Sequence, residues 1–320
     1  MKDTHSINMK FDYEQINLIP NKCIVNSRSE CDTSVILGKN KFNIPVVPAN
    51  MECVINQDIA IRLAENGYFY IMHRFDINQL EFIRKMNNLN LISSISIGVN
   101  DDSYNLIDDI VKFGYSVDYI TIDIAHGHSI KMEEMIRYIK YNLPNTFVIA
   151  GNISNPDAIE DLEKWGADAI KVGIGPGSAC TTYPATGFGS RNCQASVVYE
   201  CSLVAKVPII ADGGIKVPGD ITKSIVLGAT MVMVGGMMSG LKDSPGHIIQ
   251  VDNKSYKEFW GSASSHQSGK TNRIEGKKNL IELKDKTILE EAEYLKECLQ
   301  SSISYAGGKD LNSLNNVKWF

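Results

Sequence analysis

The sequence has few of the features that mark secreted, membrane-spanning or nucleic-acid-binding proteins. No apolar run in the 320 residues approaches the roughly 18 residues that cross a membrane. The N-terminus also lacks the apolar core of a signal peptide. The formal net charge is −5 and no long basic stretch is present, which disfavours nucleic acid as the main partner. These absences predict a cytoplasmic globular protein whose partner is a small molecule rather than a membrane or nucleic acid.

The seven cysteines form neither a disulfide pattern nor a zinc pattern. An odd number of cysteines without a secretion signal argues against a disulfide framework. The sequence has no C-x-x-C pair and no zinc-spaced Cys/His group, so a structural zinc is not expected. Six of the cysteines have no chemical motif around them and are predicted to be structural: Cys23, Cys31, Cys53, Cys193, Cys201 and Cys298.

Short apolar segments alternate with amphipathic stretches from residue 44 onward. The eight strand candidates begin at Ile44, Tyr68, Leu91, Tyr119, Thr146, Ala169, Val207 and Met231. Helix-like apolar spacing is found over residues 56–67, 77–89, 103–114, 129–143, 155–166, 194–205, 217–228 and 288–303. Strands that are apolar on both faces are typical of a parallel sheet covered by helices.

Eight strand–helix units predict an α/β protein, a (β/α)8 TIM barrel forming one catalytic domain over residues 1–320. Residues 1–43 are polar and irregular and are interpreted as an N-terminal arm or cap. Residues 237–287 follow the last strand and include a long polar, glycine-punctuated segment, which predicts a mobile flap and insert; a disordered insert is the alternative. Function in such barrels lies at the C-terminal ends of the strands.

The segment 171–182 carries the strongest chemical signal at those strand ends. An apolar run breaks into Gly173, Gly175 and Gly177, which let the backbone approach a ligand closely. Cys180 follows among small and hydroxyl residues, where exposed backbone N–H groups favour a thiolate. Cys180 is therefore a candidate nucleophile. A glycine-rich turn with a merely small cysteine is the alternative.

Paired glycines end the seventh and eighth strand candidates, where barrels of this kind commonly bind phosphate through backbone N–H groups. The candidate phosphate ligands are Ser178, Gly213, Gly214, Gly235 and Gly236. Asp212 precedes the first pair and is predicted to accept hydrogen bonds from a ribose rather than to bind a metal. Short strand-to-helix turns are the alternative reason for the glycines.

Two weaker motifs are set aside. Asp123 with His126 and His128 resembles a metal cluster, but two histidines two residues apart are a weak signal without a third ligand. Hydrogen bonding to a cofactor or substrate is the preferred role for Asp123. Residues 269–271 imitate the end of a P-loop but lack its first glycine and its strand-to-helix context.

Several of these motifs together resemble the IMP dehydrogenase/GMP reductase family. They are KVGIGPGSACTT at residues 171–182, ADGG at 211–214, MVGG at 233–236, PVVPANM at 45–51, IDIAHGH at 122–128 and SSISYAG at 301–307. The resemblance covers nearly the whole chain, and the cysteine-loop motif is highly specific.

Three features favour the reductase branch of that family, in its shorter bacterial form. Dehydrogenases commonly carry a regulatory insert after the second barrel helix, and only a few residues separate that predicted helix from the third strand here. Dehydrogenases also use an Arg-Tyr pair on the flap to activate water. The only Arg-Tyr pair in this chain is Arg137-Tyr138 in the fourth predicted helix, whereas the flap carries Arg273 and Glu275.

The resemblance implies NADPH-dependent reductive deamination of GMP to IMP, a reaction of purine nucleotide salvage. It implies that the Cys180 thiolate attacks C2 of the guanine ring, so that ammonia leaves and a covalent thioimidate forms. Hydride transfer then releases IMP. Ammonia is a poor leaving group unless protonated, and Thr182 with Glu275 fits the role of the acid relay.

The resemblance also implies the ligand contacts. GMP is expected on the phosphate ligands given above, with Asp212 at the ribose and Arg273 and Gly276 on the flap. NADPH is expected on Asp123, Ala125, Gly127, Ile174, Gly175, Arg74, Ser27 and Arg28. Ser27 and Arg28 would come from a neighbouring subunit of a homotetramer. The carbonyls of Gly175, Gly177 and Cys180 are expected to hold a potassium ion.

Three alternatives stay open. A dehydrogenase without the regulatory insert would need a water-activating base on the flap, which the sequence does not show. A catalytically silent barrel that binds purine nucleotides would not need Cys180, Thr182 and Glu275. An isomerase or aldolase barrel would need a Schiff-base lysine or an acid pair, and the only strand lysine near the site, Lys171, falls before the strand end.

Overall fold

The structure is a computed structural model that describes residues 10–261 and 278–320. The strands are β1 (Val35–Leu37), β2 (Asn40–Phe42), β3 (Val46–Pro48), β4 (Ser94–Ile97), β5 (Tyr119–Asp123), β6 (Phe147–Ile153), β7 (Ala169–Val172), β8 (Ile209–Asp212), β9 (Met231–Val234), β10 (Ile248–Val251), β11 (Lys254–Trp260) and β12 (Lys278–Glu282). The helices are α1 (Gln57–Glu65), α2 (Gln79–Asn88), α3 (Asp101–Phe113), α4 (Ile130–Asn142), α5 (Pro156–Trp165), α6 (Thr182–Thr186), α7 (Gln194–Val204), α8 (Pro218–Val226), α9 (Gly236–Ser239) and α10 (Ile288–Tyr305).

Seven parallel strands form one curled sheet in the order β3-β9-β8-β7-β6-β5-β4. The first of these strands in the chain pairs with the last, Val46 opposite Val232, which is the connection that closes a barrel. Helices follow the strands along the chain and cover the outside of the sheet. The predicted (β/α)8 fold class is confirmed.

The second predicted strand, beginning at Tyr68, is shorter in the structure than its apolar run indicated. It joins the sheet through one parallel bridge between Met72 and Ile95. The cause is the side chain of Tyr70, whose hydroxyl donates to the carbonyl of Ile92 at 2.6 Å and accepts from the amide of Ser94 at 3.2 Å. The hydroxyl thus binds the carbonyl of Ile92 and the amide of Ser94, which would otherwise be available for hydrogen bonds to the backbone of a longer strand.

The predicted helices are all present, with ends set by capping residues. In α5, the Asn155 side chain accepts from the amide of Asp157 at 3.0 Å, Pro156 occupies the first turn, and Gly166 ends the helix in the left-handed conformation. Among the described residues, no helix is long and apolar enough to span a membrane.

A hairpin formed by β1 and β2 closes the N-terminal mouth of the barrel. This region was predicted to be irregular, and the hairpin corrects that prediction. Leu37 and Phe42 are buried against Phe69 and Tyr119, and the Tyr119 hydroxyl donates to the carbonyl of Leu37 at 2.7 Å. Tyr119 begins its strand, so the hairpin seals the end opposite the predicted site.

A three-stranded antiparallel sheet, β10-β11-β12, forms part of the region predicted as flap and insert. It packs on the barrel rather than standing free, because Phe259 and Trp260 are buried and the Trp260 amide donates to the Cys53 sulfur at 3.5 Å. The remaining predicted flap residues, 262–277, lie outside the described residues. The mobility of that segment stays a prediction.

Polar groups replace the apolar barrel interior at the C-terminal ends of the strands. Asp123 of β5 lies opposite Gly151 of β6, and Gly151 lies opposite Lys171 of β7. A Cβ atom at Gly151 would lie 2.6 Å from the Cβ and 2.7 Å from the carbonyl oxygen of Lys171. Only glycine fits in this position.

We expect Gly151→Ala to lower the free energy of unfolding by about 1–3 kcal/mol, because overpacking forces a backbone shift. Chemical denaturation measures the change. Gly219→Ala is the matched control: Gly219 lies in α8 with open space around it, so alanine there should be neutral or stabilise by up to about 1 kcal/mol. Equal stability of the two variants would contradict the packing described here.

Candidate active site

A cavity of about 720 Å³ opens at the C-terminal ends of the barrel strands. Its wall includes most of the residues predicted from the sequence: Arg74, Asp123, Ala125, Ile174, Gly175, Gly177, Ser178, Cys180, Thr182, Asp212, Gly213, Gly214, Gly235 and Gly236. The fold thus collects in one place residues that come from most of the βα loops. The predicted Arg273, Glu275 and Gly276 lie outside the described residues.

Cys180 lies half-buried at the end of the loop after β7, with its sulfur 3.2 Å from the hydroxyl oxygen of Thr182. The Cys180 amide donates to the carbonyl of Gly177 at 3.0 Å, which turns the loop, and Thr182 begins α6. The thiol and the hydroxyl are therefore in contact on the cavity wall. This is the arrangement expected of a nucleophile with a proton-transfer partner.

Two other cysteines differ sharply from Cys180. Cys53 and Cys201 are fully buried, and burial raises the pKa of each thiol to about 12. Neither lines the cavity. Buried cysteines of this kind are inert, in agreement with the structural role predicted for both.

The loops after β7 and β8 are in close contact because glycines lie where they meet. Gly173 has φ +147°, and a Cβ atom there would lie 1.9 Å from the carbonyl oxygen of Asp212. A Cβ atom at Gly213 would lie 3.0 Å from the amide nitrogen of Gly177. The cysteine loop and the predicted phosphate loop therefore form one continuous wall.

Three charged side chains form a cluster at the floor of the cavity. The Lys171 Nζ lies 2.8 Å from Asp123 Oδ1 and 2.7 Å from Asp212 Oδ2. The Lys171 side chain is only 2% exposed. Burial alone would lower the pKa of Lys171, but the two carboxylates outweigh it and raise that pKa above its ordinary range. The ammonium is thus fully charged near neutral pH.

The same cluster sets the ionisation of Asp123. Burial would raise the pKa of its carboxyl, whereas the attraction of Lys171 and its hydrogen bond hold that pKa below the usual value. Asp123 and Asp212 were predicted only as hydrogen-bond acceptors for a ligand, and no role in the site was predicted for Lys171. One signal was available: a lysine in a strand that is buried on both faces requires a charged partner.

Two asparagines complete the cluster and were not predicted as site residues. Asn50 Nδ2 donates to Asp123 Oδ2 at 3.0 Å. Asn152 Nδ2 donates to Asp212 Oδ2 at 2.8 Å and to the carbonyl oxygen of Gly173 at 2.6 Å. Both asparagines lie on the cavity wall and fix the orientation of the carboxylates.

The predicted phosphate ligands lie on the cavity wall where two strand ends meet. Gly213 and Gly214 follow β8, while Gly235 and Gly236 follow β9 and begin α9. Ser178 lies in the cysteine loop, where its carbonyl accepts from Asn279 Nδ2 at 3.2 Å. Lys284 is also on the wall and adds a positive charge that the sequence analysis missed. Backbone N–H groups with a nearby cation suit an anion.

Several residues predicted for the cofactor also lie on the cavity wall. Arg74 is on the wall, with its guanidinium carbon 4.7 Å from the ring centre of Phe75. Ala125, Ile174 and Gly175 are also on this wall. A cation beside apolar surface and exposed backbone is compatible with a dinucleotide that carries an additional phosphate.

Three residues predicted for the cofactor are not on the cavity wall of this chain. Gly127 donates its amide to the carbonyl of Asn152 at 2.7 Å, behind the wall. Ser27 caps a short 3-10 helix, Arg28–Glu30, and both Ser27 and Arg28 are exposed. Their contribution to a neighbouring subunit's site stays a prediction.

The histidines after β5 are not brought into a metal site by the described fold. His128 Nε2 lies 3.0 Å from Asp161 Oδ2, on the outside of the cavity. Within residues 10–261 and 278–320, no group of three or more His, Cys, Asp or Glu side chains is placed to hold a metal ion.

Known proteins match the chain along nearly its full length. Residues 10–320 match the IMP dehydrogenase / GMP reductase domain. A GMP reductase of Helicobacter pylori is 54% identical over 314 residues, covering 97% of this chain and 95% of the relative. A GMP reductase of Clostridium acetobutylicum is 54% identical, covering 97% of this chain and 94% of the relative. For a GMP reductase of Mesoplasma florum the identity is 52%, with 97% of each chain covered.

The matched range contains every motif on which the resemblance was based. The structure brings five of these six motifs to the wall of one cavity, whereas the segment 301–307 lies at the end of α10 and does not line it. The chain belongs to the IMP dehydrogenase/GMP reductase family.

Proposed function

We propose that the protein is a GMP reductase, which converts GMP and NADPH to IMP, ammonia and NADP. The observation that carries the proposal is the 3.2 Å contact between the Cys180 sulfur and the Thr182 hydroxyl on the cavity wall. The glycine loops predicted to bind an anion and the Arg74 side chain lie on the wall of the same cavity. The high identity of relatives named GMP reductase supports the same assignment.

GMP would be held by three kinds of contact. The backbone N–H groups after β8 and β9, with Ser178, would bind the 5′-phosphate. Asp212 would accept hydrogen bonds from the ribose hydroxyls, because its Oδ1 has no hydrogen-bond partner among the described residues. These contacts would place C2 of the guanine ring next to Cys180.

The first chemical step is nucleophilic attack. The Cys180 thiolate forms a bond to C2, the bond between C2 and the exocyclic nitrogen breaks, and ammonia leaves after taking a proton. Thr182 is the group in contact with the sulfur that can transfer this proton, and Glu275 of the predicted flap would complete the relay. A covalent thioimidate on Cys180 remains.

The second step is reduction at the same carbon. Bound NADPH supplies the hydride to C2. The bond between C2 and sulfur then breaks, and the thiolate returns to Cys180 as IMP is released. Asp123, Ala125, Ile174 and Gly175 would line the nicotinamide pocket, and Arg74 would meet the adenosine end together with Ser27 and Arg28 of a neighbouring subunit in a homotetramer.

A monovalent cation would stabilise the cysteine loop. Backbone carbonyls replace the hydration shell of potassium well, and Gly175, Gly177 and Cys180 would supply them. The Gly177 carbonyl accepts the Cys180 amide at 3.0 Å and keeps a second lone pair for such an ion. The residues therefore fit a potassium site.

The purified protein is expected to consume NADPH only when GMP is present, with release of ammonia. Cys180→Ala should abolish this activity, because the covalent step has no nucleophile. Absorbance of the reduced cofactor measures the reaction. Formation of reduced cofactor from IMP and NAD, without reaction of GMP, would instead show a dehydrogenase. Nucleotide binding without turnover in either direction would show a binding protein.

Thr182→Val is expected to lower kcat by about 10²–10⁴-fold, the usual contribution of one positioned acid or base. Thr182→Ser keeps a hydroxyl beside the sulfur and should retain most of the activity. GMP binding, measured by calorimetry, should be similar in both variants. Equal kcat values for the Val and Ser variants would rule out proton transfer through this hydroxyl.

Alkylation with iodoacetamide should modify Cys23, which is exposed, and Cys180, but not Cys53 or Cys201. GMP should protect Cys180 and leave Cys23 unchanged, since only Cys180 lies in the cavity. Peptide mass spectrometry quantifies each site. Protection of both cysteines, or of neither, would contradict binding of GMP against Cys180.

A further inference from the structure

We propose that Lys171 is a positioning residue for the bound nucleotide: its ammonium group fixes the carboxylate that receives the ribose and ties it to the carboxylate on the cofactor side. The proposal deepens the proposed GMP reductase function and rests on it. The Lys171 side chain is only 2% exposed and both carboxylates engage its ammonium group, so Lys171 would act on a bound ligand through Asp212 and Asp123.

The barrel is built to let Lys171 reach across a strand. Asp123, Gly151 and Lys171 are aligned in register on three adjacent strands, so the middle position separates the two charged residues. Gly151 has no side chain, and any Cβ atom there would overlap Lys171. The missing side chain is what allows the Lys171 Nζ to lie 2.8 Å from Asp123 Oδ1.

The hydrogen bonds on Asp212 leave one oxygen for a ligand. Asp212 Oδ2 accepts from Lys171 Nζ at 2.7 Å and from Asn152 Nδ2 at 2.8 Å. Asp212 Oδ1 has no hydrogen-bond partner in the part of the chain that the structure describes. The two hydrogen bonds to Oδ2 fix the orientation of the carboxylate before a ligand binds. Oδ1 can therefore accept a hydrogen bond from a hydroxyl without a further loss of side-chain entropy.

Asp123 is engaged on both oxygens. Oδ1 accepts from Lys171 and Oδ2 accepts from Asn50 at 3.0 Å. This carboxylate cannot rotate without losing one of them. It therefore anchors the ammonium group, and through it Asp212, to the side of the cavity where Arg74 lies.

Charge explains why a lysine is needed here. Without the ammonium, two carboxylates would share a largely buried floor, and two like charges at close range cannot both stay ionised near neutral pH. One would hold a proton. Of the other charged groups on the cavity wall, Arg74 acts on Asp123 through its charge, whereas Lys216 pairs with Glu14 at 2.6 Å and Lys284 lies 3.5 Å from Glu291.

The consequence for substrate binding has a definite sign. A ribose needs Asp212 as an ionised acceptor, and removal of Lys171 would leave two carboxylates with no cation between them, so that they share a proton at mildly acidic pH. GMP affinity in a Lys171→Met variant should therefore be weak at mildly acidic pH and recover as the pH rises. Since the loss involves hydrogen bonds to a charged group, the dissociation constant should increase by roughly 10- to 100-fold.

The experiment measures GMP binding by calorimetry from mildly acidic to mildly alkaline pH, so that it requires no turnover. Lys171→Met is compared with Lys171→Arg, which keeps the charge and should restore much of the affinity. The double variant Lys171→Met/Asp123→Asn removes one carboxylate together with the ammonium. It should give a nearly pH-independent affinity, because no second carboxylate is left to share a proton with Asp212.

Lys257→Met is the matched control for loss of a buried lysine. Lys257 is 4% exposed and donates to the carbonyl oxygen of Ser244 at the base of the sheet formed by β10, β11 and β12. This variant should lose stability without a pH-dependent loss of GMP affinity.

Two results would overturn the role of Lys171. One is a GMP dissociation constant for Lys171→Met that stays within about twofold of the wild-type value across the pH range, which is no more than the scatter of single contributions. The other is the same pH dependence in Lys257→Met. If Lys171→Met does not fold, the double variant provides the test. A pH-dependent GMP affinity of the double variant would then overturn the role of Lys171. Absence of NADPH consumption by the wild-type protein would refute the proposed function alone.

Discussion

The active cavity depends on one buried ion cluster, in which the Lys171 ammonium lies between the carboxylates of Asp123 and Asp212. The apolar interior of the barrel ends at this level, and the charged floor marks the start of the site. Burial of these charges is costly unless each is paired and hydrogen-bonded. Lys171 with Asn50 and Asn152 meets that requirement. The cluster therefore defines where a polar ligand can enter the barrel.

A second constraint is the close contact of the loops after β7 and β8. The contact between Gly173 and the Asp212 backbone keeps the cysteine loop beside the predicted ribose-binding residue. As a result, the distance between Cys180 and Asp212 is set by the barrel itself. The hairpin at the other end seals the interior, so the site is a closed-bottomed cavity. Both features favour a bound nucleotide in a single orientation, which is the main requirement for attack at one ring carbon.

Much of this could be predicted from sequence because the signals are local. The helix predicted over residues 155–166 agrees closely with α5, whose Asn cap, first-turn proline and terminal glycine each act within one turn. The position of Cys180 and Thr182 after β7 followed from the glycines between strand and cysteine. The pattern of strands and helices also indicated the barrel, which in turn placed every strand end at one mouth.

The features that escaped prediction depend on contacts between distant residues. The β1–β2 hairpin has strands of only three residues each, which is too short for a periodic pattern. The truncated strand near Tyr68 results from a tyrosine hydroxyl that bonds to the neighbouring strand. The partners of Lys171 come from two other strands, and their pairing requires the register that places Gly151 between them. None of these can be read from local spacing.

Covalent capture of the nucleotide on Cys180 is the most direct test of the account. The protein would be incubated with GMP and NADP, which occupies the cofactor site without a hydride, and then acid-quenched for intact-protein and peptide mass spectrometry. The account predicts a mass increase equal to GMP minus ammonia, located on the peptide that contains Cys180. An unmodified Cys180 peptide from protein that turns over GMP, or the adduct on another residue, would contradict it.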